Sequence, residues 1–403
     1  MNLLDQRLRE LAIKALSTQH VSQRESNPSL HKLRELGTEL WLDTGDIQEA
    51  KPLWRAEFSA LTTNNTLVYQ VSKKGLFDDE IRQIAKDLPP NLSADEKTTE
   101  LAFAMNCRVA LGLVSEFDSM VSVELHPGLA HNLDRSVAFA ERYFSICPER
   151  FYIKIPLTPE GYAAVARIRS KGIPVNFTLG FSARQNVLAS LISNPTFCNV
   201  FLGRLNSVIS DNELGDGIYV GEKATLATEQ IIRSLRISGR TGSRLIAASM
   251  RSVSQVNDLA GVDVYTMPPK VVQAYLESNQ NPGSIVSKIT QEYPVKLANG
   301  FEARASTLWN VEPKLMELAQ ALLNRGTTSM SGVDIKQADA DHGTGLFHRF
   351  SKEETAKIRE NGKIPDPRMW PRIALDDLMT QAALQSFVSD QAALDDYLRG
   401  LAG

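Results

Sequence analysis

The chain has 403 residues, of which 43% are hydrophobic and 23% charged, a balance typical of a globular protein and not of a fibrous or disordered one. Its 44 lysines and arginines against 47 aspartates and glutamates give a formal net charge of −3, so no basic excess favours binding to nucleic acid. The three cysteines lack CxxC spacing and are too few for a disulfide framework, which predicts a reducing, cytoplasmic environment.

The N-terminal segment MNLLDQRLRELAIKAL has apolar residues at helical spacing, among them Leu4, Leu8 and Leu11. Charged residues such as Arg7 and Glu10 interrupt the apolar core that a signal peptide needs. The segment therefore predicts an amphipathic N-terminal helix. Because no run approaches about 18 uncharged apolar residues, we expect no membrane span.

Eight short apolar or β-branched runs, most of them followed by helical periodicity, dominate the next part of the chain. The predicted strands are Leu40–Asp43, Ala60–Asn64, Val121–Glu124, Phe151–Lys154, Val175–Thr178, Val200–Gly203, Leu245–Ser249 and Val262–Thr266. The predicted helices between them are Asp46–Trp54, Asp134–Tyr143, Pro159–Ser170, Ser182–Leu191, Ala224–Ser238 and Val253–Leu259. Eightfold alternation predicts the α/β class and a closed (β/α)8 TIM-type barrel. An open doubly wound sheet uses the same alternation, but the sequence lacks its GxGxxG phosphate loop and any Walker motif, which favours the barrel.

Two regions do not fit the regular units. The stretch near residues 65–119 predicts a helical insertion, with helices over Asp78–Leu88 and Thr98–Ser115. Further helical patterns follow the eighth strand, at Lys270–Ser278, Pro313–Asn324, Lys352–Glu360 and Leu375–Leu401. We therefore predict that residues 1–300 form the barrel with an extra N-terminal helix. Residues 301–403 are predicted to form a helical C-terminal extension.

Lys154 is the most informative candidate for chemistry, because it stands in the apolar strand sequence FYIKIP. Barrel enzymes place their functional side chains at the C-terminal ends of strands. Desolvation there would favour the neutral amine, which attacks a carbonyl to form a Schiff base. A lysine that extends to solvent, or that forms an ion pair with Glu124, is the alternative interpretation.

The motifs WLDTGDIQEAK, ALTTNNTLV, VSVELHP, FYIKIPLTPEGYAAV, VNFTLGFS, VFLGRLNSV and RLIAASMRSV occur in this order over roughly residues 38–275. Together they resemble the transaldolase family of class I Schiff-base aldolases. The resemblance implies transfer of a dihydroxyacetone unit between sugar phosphates of the pentose phosphate pathway, such as fructose 6-phosphate and sedoheptulose 7-phosphate. It implies no metal and no organic cofactor, with sugar phosphates as partners, and it is compatible with a homo-oligomer.

Four catalytic roles are implied by the resemblance. Lys154 would form the Schiff base, and Asp43 would take the proton from the C4 hydroxyl. Glu124, with Thr178, would hold and activate a water for carbinolamine formation and dehydration. Two carboxyl groups at two sites would separate these proton transfers.

The resemblance also implies substrate contacts. Asn64 and Asn176 would hydrogen-bond the dihydroxyacetone hydroxyls, and Ser249, Arg204 and Arg251 would hold the phosphate. Phe201, where the fructose 6-phosphate aldolases of the superfamily have a tyrosine, favours the transferase over a lyase that releases free dihydroxyacetone.

The chain departs from the family pattern at two positions. Asn65 replaces a proline in the TTNPS motif, and Asn199 replaces a small serine five residues before Arg204. These departures leave open a third alternative, a non-catalytic sugar-phosphate-binding barrel. The aspartates of the segment Asp339–Gly345 suggest a calcium loop, but the twelfth position from Asp339 is Phe350 where glutamate is required, so no metal site is expected.

Overall fold

A computed structural model describes residues 2–18 and 24–402. Within them, eight parallel strands close into a barrel in chain order, with β1 paired to both β2 and β8. The strands are β1 (Glu39–Asp43), β2 (Phe58–Thr62), β3 (Met120–Glu124), β4 (Phe151–Pro156), β5 (Val175–Thr178), β6 (Phe197–Phe201), β7 (Arg244–Ala248) and β8 (Val264–Met267). The predicted (β/α)8 barrel is confirmed.

Helices surround the barrel and extend beyond it. They are α1 (Leu3–Ser17), α2 (Pro28–Glu35), α3 (Ile47–Ala50), α4 (Asn65–Ser72), α5 (Asp78–Asp87), α6 (Ala94–Phe117), α7 (Leu133–Ile146), α8 (Pro159–Ser170), α9 (Ala183–Ile192), α10 (Leu202–Ser210), α11 (Val220–Ile237), α12 (Val253–Asp258), α13 (Pro269–Glu277), α14 (Glu302–Ala305), α15 (Pro313–Arg325), α16 (Gly332–His342), α17 (Lys352–Asn361) and α18 (Leu375–Ala402). The N-terminal helix α1 is confirmed, and the buried side chains of Leu4 and Leu8 form its apolar face. Among the described residues, no helix is long and apolar enough to cross a membrane.

The lower interior of the barrel is filled by three aromatic rings. Trp41 on β1 stacks on Tyr152 on β4 with centroids 5.4 Å apart, and Phe197 on β6 packs edge-on to both rings at 4.7 and 5.1 Å. Because side chains alternate along a strand, the residues two positions further on point to the same interior, one layer higher. This periodicity lifts Asp43 and Lys154 to the mouth of the barrel and leaves the aromatic layer as its floor.

Two predicted elements have different bounds in the structure. The sixth strand begins at Phe197 and ends at Phe201, and Leu202 already starts α10, whereas we predicted Val200–Gly203. Helix α3 stops at Ala50 and does not reach Trp54, since Pro52 has no backbone N–H to continue it. Asp46 caps the start of α3, with its side chain accepting from the Gln48 N–H at 2.9 Å.

Helix α16 was not predicted, and it contains the start of the segment considered as a calcium loop. The buried carboxylate of Asp339 accepts hydrogen bonds from the backbone N–H groups of Leu346 and Phe347 at 2.9 and 3.1 Å. This aspartate therefore organises the turn after α16. Buried polar groups are normally paired in this way.

The C-terminal helices pack on the barrel through both apolar and charged contacts. Buried Leu375 and Met379 of α18 join the same apolar core as the barrel residues. The Arg184 guanidinium donates to both carboxylate oxygens of buried Asp376, at 2.6 and 2.7 Å, and Ser182 donates to the same carboxylate. The division at residue 300 stays a prediction, but these contacts bring α18 against the barrel mouth.

Candidate active site

A cavity of about 300 Å³ opens at the C-terminal ends of the strands. The predicted site residues that line it are Asp43, Asn64, Lys154, Asn176, Thr178, Phe201, Arg204, Ser249 and Arg251. Glu124, the remaining predicted residue, is outside the lining but pairs with Lys154 at the base of the cavity. The structure therefore brings all the predicted side chains to one end of the barrel, which is where the functional groups of this fold lie.

Lys154 is buried, with only 6% of its surface exposed. Its Nζ donates to the backbone carbonyl of Thr63 at 3.2 Å and lies 3.4 Å from Glu124 Oε1. In β-sheet register, Lys154 stands directly beside Glu124 on one side and Asn176 on the other. The amine therefore lies beside the Glu124 carboxyl group and the Asn176 strand inside the barrel, not in bulk solvent, and the ion pair that we considered as an alternative is present.

Glu124 is the more deeply buried of the two carboxylic acids. Burial raises the pKa of Glu124, and the positive charge of Lys154 and the Asn65 backbone N–H oppose that rise. Its Oε2 accepts from the Asn65 backbone N–H at 3.2 Å and from Asn65 Nδ2 at 3.3 Å, while its Oε1 has no hydrogen-bond partner. Oε2 is thus held by hydrogen bonds from Asn65, whereas Oε1 is available to another donor.

Thr178 carries a second buried polar atom without a partner, its Oγ1. A buried hydroxyl or carboxylate oxygen normally has a partner, so two such atoms at one site need an explanation. Glu124 lies directly beside Lys154 in the sheet, and Thr178 lies on the adjacent strand β5. A small polar group, such as a water or a substrate hydroxyl, would satisfy them.

Asp43 is the second carboxylic acid, at the end of β1. Protein atoms surround this partly exposed group closely enough that burial raises its pKa, with the charge of Lys154 and a hydrogen bond from Thr62 opposing the rise. Thr62 Oγ1 donates to Asp43 Oδ1 at 2.7 Å and lies 2.6 Å from Thr266 Oγ1. A carboxylate with a raised pKa is a stronger proton acceptor than an ordinary one, which suits acid–base catalysis.

Three amides form one wall of the cavity. Asn176 Nδ2 donates to Ser122 Oγ at 3.1 Å, and Asn176 Oδ1 accepts from Asn199 Nδ2 at 3.4 Å. Asn199 Oδ1 accepts from the Gly180 N–H at 3.2 Å, so this residue, which departs from the family pattern, orients Asn176. The Oδ1 of Asn64 caps α4 at the Leu67 N–H, which leaves its NH2 group to face a ligand.

The opposite end of the cavity is cationic. Arg204 Nη1 is buried without a partner, and burial together with the nearby charge of Arg251 lowers the pKa of Arg204 to about 10, so the guanidinium stays charged at neutral pH. Arg251 lies at the exposed rim, where it donates to Ser207 Oγ. Ser249, which lines the same cavity, adopts a left-handed backbone with φ of 64°, which is strained for a residue other than glycine and is common at functional sites.

Gly203 shows why these groups can approach one another. A Cβ atom at this position would lie 2.1 Å from the carbonyl oxygen of Ser249 and 2.8 Å from Arg251 Nε. Only glycine lets α10 pack this closely against the end of β7. The absence of a side chain at Gly203 thus allows α10, which carries Arg204, to lie close to Arg251.

Sequence analysis missed four residues that shape the site. Phe387 of α18 lines the cavity, and its ring centroid lies 5.9 Å from Lys154 Nζ and 5.7 Å from the Arg204 guanidinium. Thr62 donates to Asp43 and is hydrogen-bonded to Thr266, and Asn106 donates to Asn65 Oδ1 at 3.1 Å. The polar Asn106 within an apolar helix was a usable signal, whereas nothing in the pattern of α18 singles out Phe387.

A larger cavity of about 670 Å³ lies outside this mouth, between the extension and the start of α8. Its charged groups are largely paired: Glu160 binds both Lys336 and His131, and His348 binds Glu354. We therefore assign the chemistry to the smaller cavity, where unpartnered polar atoms, a buried amine and two acids with raised pKa values converge.

Comparisons with known proteins point to one family. The family model described as Transaldolase/Fructose-6-phosphate aldolase matches residues 40–329. A probable transaldolase of Thermus thermophilus is 31% identical over 245 residues, which cover 59% of this chain and 91% of the relative. A transaldolase of Acidobacterium capsulatum is 25% identical over 332 residues, covering 74% of this chain and 97% of the relative.

Proposed function

Since the chain belongs to the transaldolase and fructose-6-phosphate aldolase family, we propose that it is a transaldolase that moves a dihydroxyacetone unit between sugar phosphates through a Schiff base on Lys154. The observation that carries the proposal is the buried Lys154 amine, 3.4 Å from Glu124 Oε1, in a cavity whose other end holds Arg204 and Arg251. An amine attacks a ketone, and two guanidinium groups suit a phosphate.

The first half of the reaction forms the imine. The neutral Lys154 amine adds to the C2 carbonyl of the ketose phosphate and gives a carbinolamine. Loss of the C2 hydroxyl as water, with a proton supplied through Glu124 and a water held between Glu124 Oε1 and Thr178 Oγ1, gives the iminium ion. The two unpartnered oxygens provide the acceptors for that water.

The second half breaks and remakes a carbon–carbon bond. Asp43 takes the proton of the C4 hydroxyl, the C3–C4 bond breaks, and its electron pair moves into the iminium to give an enamine. The aldose phosphate leaves, and a second aldose phosphate accepts the enamine carbon while Asp43 returns the proton. Hydrolysis of the new imine then frees the product ketose and Lys154.

The polar wall and the cationic end would fix the substrate orientation. We propose that the Asn64 and Asn176 amides bind the dihydroxyacetone hydroxyls, and that Ser249, Arg204 and Arg251 bind the terminal phosphate. Phe201 packs on the Arg204 guanidinium at 5.6 Å and offers no hydroxyl to the cavity, which supports transfer to a sugar acceptor over release of dihydroxyacetone.

Borohydride trapping tests the covalent step. Incubation with fructose 6-phosphate and borohydride is expected to add one reduced ketose-derived mass to the peptide that contains Lys154. Lys154→Met, which fills similar space, should lose both the adduct and turnover, whereas the exposed control Lys270→Met should keep both. An adduct on another lysine would refute the assignment.

A second assay identifies the reaction type. Release of glyceraldehyde 3-phosphate from fructose 6-phosphate that depends on erythrose 4-phosphate is the result expected of a transaldolase. Equal release without the acceptor would identify a lyase instead. No release under either condition would indicate a binding protein without catalysis.

A further inference from the structure

Asn65 makes several hydrogen bonds to Glu124 and to the backbone beside it. It is the first residue of α4, and it is buried. Its backbone N–H and its side-chain Nδ2 both donate to Glu124 Oε2, at 3.2 and 3.3 Å. Nδ2 also donates to the Leu125 carbonyl at 3.3 Å. One residue thus supplies both hydrogen bonds that this carboxylate oxygen receives.

The Asn65 side chain is itself held in one orientation. Its Oδ1 accepts from Asn106 Nδ2 at 3.1 Å, and the same Nδ2 donates to the Ala102 carbonyl at 3.0 Å inside α6. With the oxygen bound to a donor, the Asn65 amide must present its NH2 group to Glu124. The series of hydrogen bonds from Asn106 on α6 through Asn65 to Glu124 on β3 therefore fixes which atoms donate and which accept. It also fixes the position of the Asn65 side chain.

The two oxygens of Glu124 consequently face different partners. Oε2 is held by Asn65, while Oε1 lies 3.4 Å from Lys154 Nζ and has no hydrogen bond. Rotation of the carboxylate would break two hydrogen bonds in a buried site, where unpaired polar groups are costly. The free oxygen is thereby kept on the side of the reacting amine.

We propose that Asn65 is a positioning residue, which holds the Glu124 carboxyl group with Oε1 directed at Lys154 and so sets the rate of imine formation and its dependence on pH. The inference rests on the proposed function, because it assigns Glu124 to the imine step. Asn65 acts through Glu124 and does not need to touch the substrate.

The sign of the pH effect follows from the groups around Glu124. Lys154 on β4 favours the carboxylate, the negative charge of Asp43 on β1 disfavours it, and Arg204 on α10 and Tyr143 on α7 also face it. Hydrogen bonds donated to an ionised carboxylate lower its pKa. Loss of the Asn65 donors should therefore raise the pKa of Glu124 and move the acidic limb of the rate profile to higher pH.

The chain allows a graded pair of variants. Asn65→Ala removes the side-chain donor and keeps the backbone N–H, whereas Asn65→Pro removes both. Proline is tolerated at the first position of a helix, and Asn64 before it has φ of −153° and ψ of 168°, the extended conformation that proline requires of its predecessor. Thr66→Val is the matched control, because it removes a neighbouring side-chain hydrogen bond to Asp390 and leaves Glu124 untouched.

Two measurements test the proposal. Carboxyl ¹³C NMR of the full chain, with Glu124 assigned by Glu124→Gln, should show the Glu124 midpoint rising by about one pH unit for each donor lost, in the order wild type, Asn65→Ala, Asn65→Pro. Single-turnover borohydride trapping with fructose 6-phosphate should show imine formation slowed by about tenfold per unit on the acidic limb. The Thr66→Val variant should match the wild type in both.

The outcomes separate this inference from the proposed function. Wild-type protein that forms no imine would refute the proposed function, while the NMR titration would still report on the Asn65 donors. An active wild type whose Glu124 midpoint and imine rate are unchanged in folded Asn65→Pro would overturn the inference. If Asn65→Pro loses the circular dichroism of the wild type, Asn65→Ala decides, and an unshifted midpoint there overturns the inference equally.

Discussion

Arg204→Met is expected to weaken recognition of a phosphorylated ketose more than any other change at the cationic end. Arg204 Nη1 is buried and unpartnered, so a phosphate can bind it without breaking an internal hydrogen bond. A hydrogen bond to a charged group contributes about 1.5–3 kcal/mol. At about 1.36 kcal/mol for each tenfold change, this predicts a loss of about 10- to 150-fold in kcat/KM for fructose 6-phosphate. Methionine replaces a guanidinium whose central carbon lies 5.6 Å from the Phe201 ring centroid and 5.7 Å from that of Phe387, so an apolar side chain still adjoins both rings.

The assay compares fructose 6-phosphate with unphosphorylated fructose, each with erythrose 4-phosphate as the acceptor. Arg204→Met should change kcat/KM for fructose by less than threefold. Arg251→Met should have a smaller effect on the phosphorylated donor, because Arg251 must give up its contact with Ser207 or share it with the phosphate. The exposed Arg240→Met serves as the charge-matched control. Equal losses on both donors, or a larger effect at Arg251, would show that the cavity is not built around a phosphate at Arg204.

Two further predictions address the acids and the fold. Asp43→Asn should still yield a borohydride adduct with the whole ketose but release no aldose phosphate, whereas Glu124→Gln should slow adduct formation itself, and wild-type trapping rates in both variants would contradict the division of roles. Arg184→Met should lower the free energy of unfolding in urea by about 3–5 kcal/mol, because it leaves the buried Asp376 carboxylate without its cationic partner, and the double variant with Asp376→Leu should recover much of that loss if the pair is the cause.

Alternation along the strands made the barrel and much of the site accessible to sequence reasoning. Polar residues such as Asp43, Lys154 and Thr178, each near the end of an apolar run, are costly to bury without a use, and strand periodicity places them at one mouth. In the structure, these side chains lie together at that mouth of the barrel. Their catalytic roles, however, stay predictions, because position alone does not identify a substrate.

Contacts between distant segments were beyond the reach of the sequence. Phe387 lies in a helix with many buried residues, and only the path of α18 across the mouth brings its ring above Lys154. In the sequence, Asn65 stands out only because it replaces a proline of the family pattern. In the structure, its backbone N–H and its side-chain Nδ2 both donate to Glu124. Hydrogen-bond partners depend on side-chain direction across separate elements, which spacing along one element does not encode.

The position of Phe387 has a consequence for how the protein matures. Helix α18 follows all eight strands in the chain, so the ribosome releases Phe387 after every strand of the barrel. The strand that carries Lys154 is therefore complete well before the ring that covers its amine arrives. The Phe387 ring can cover the Lys154 amine only after α18 has been made and has docked on the barrel. A chain that stops short of Phe387 therefore lacks this part of the cavity lining.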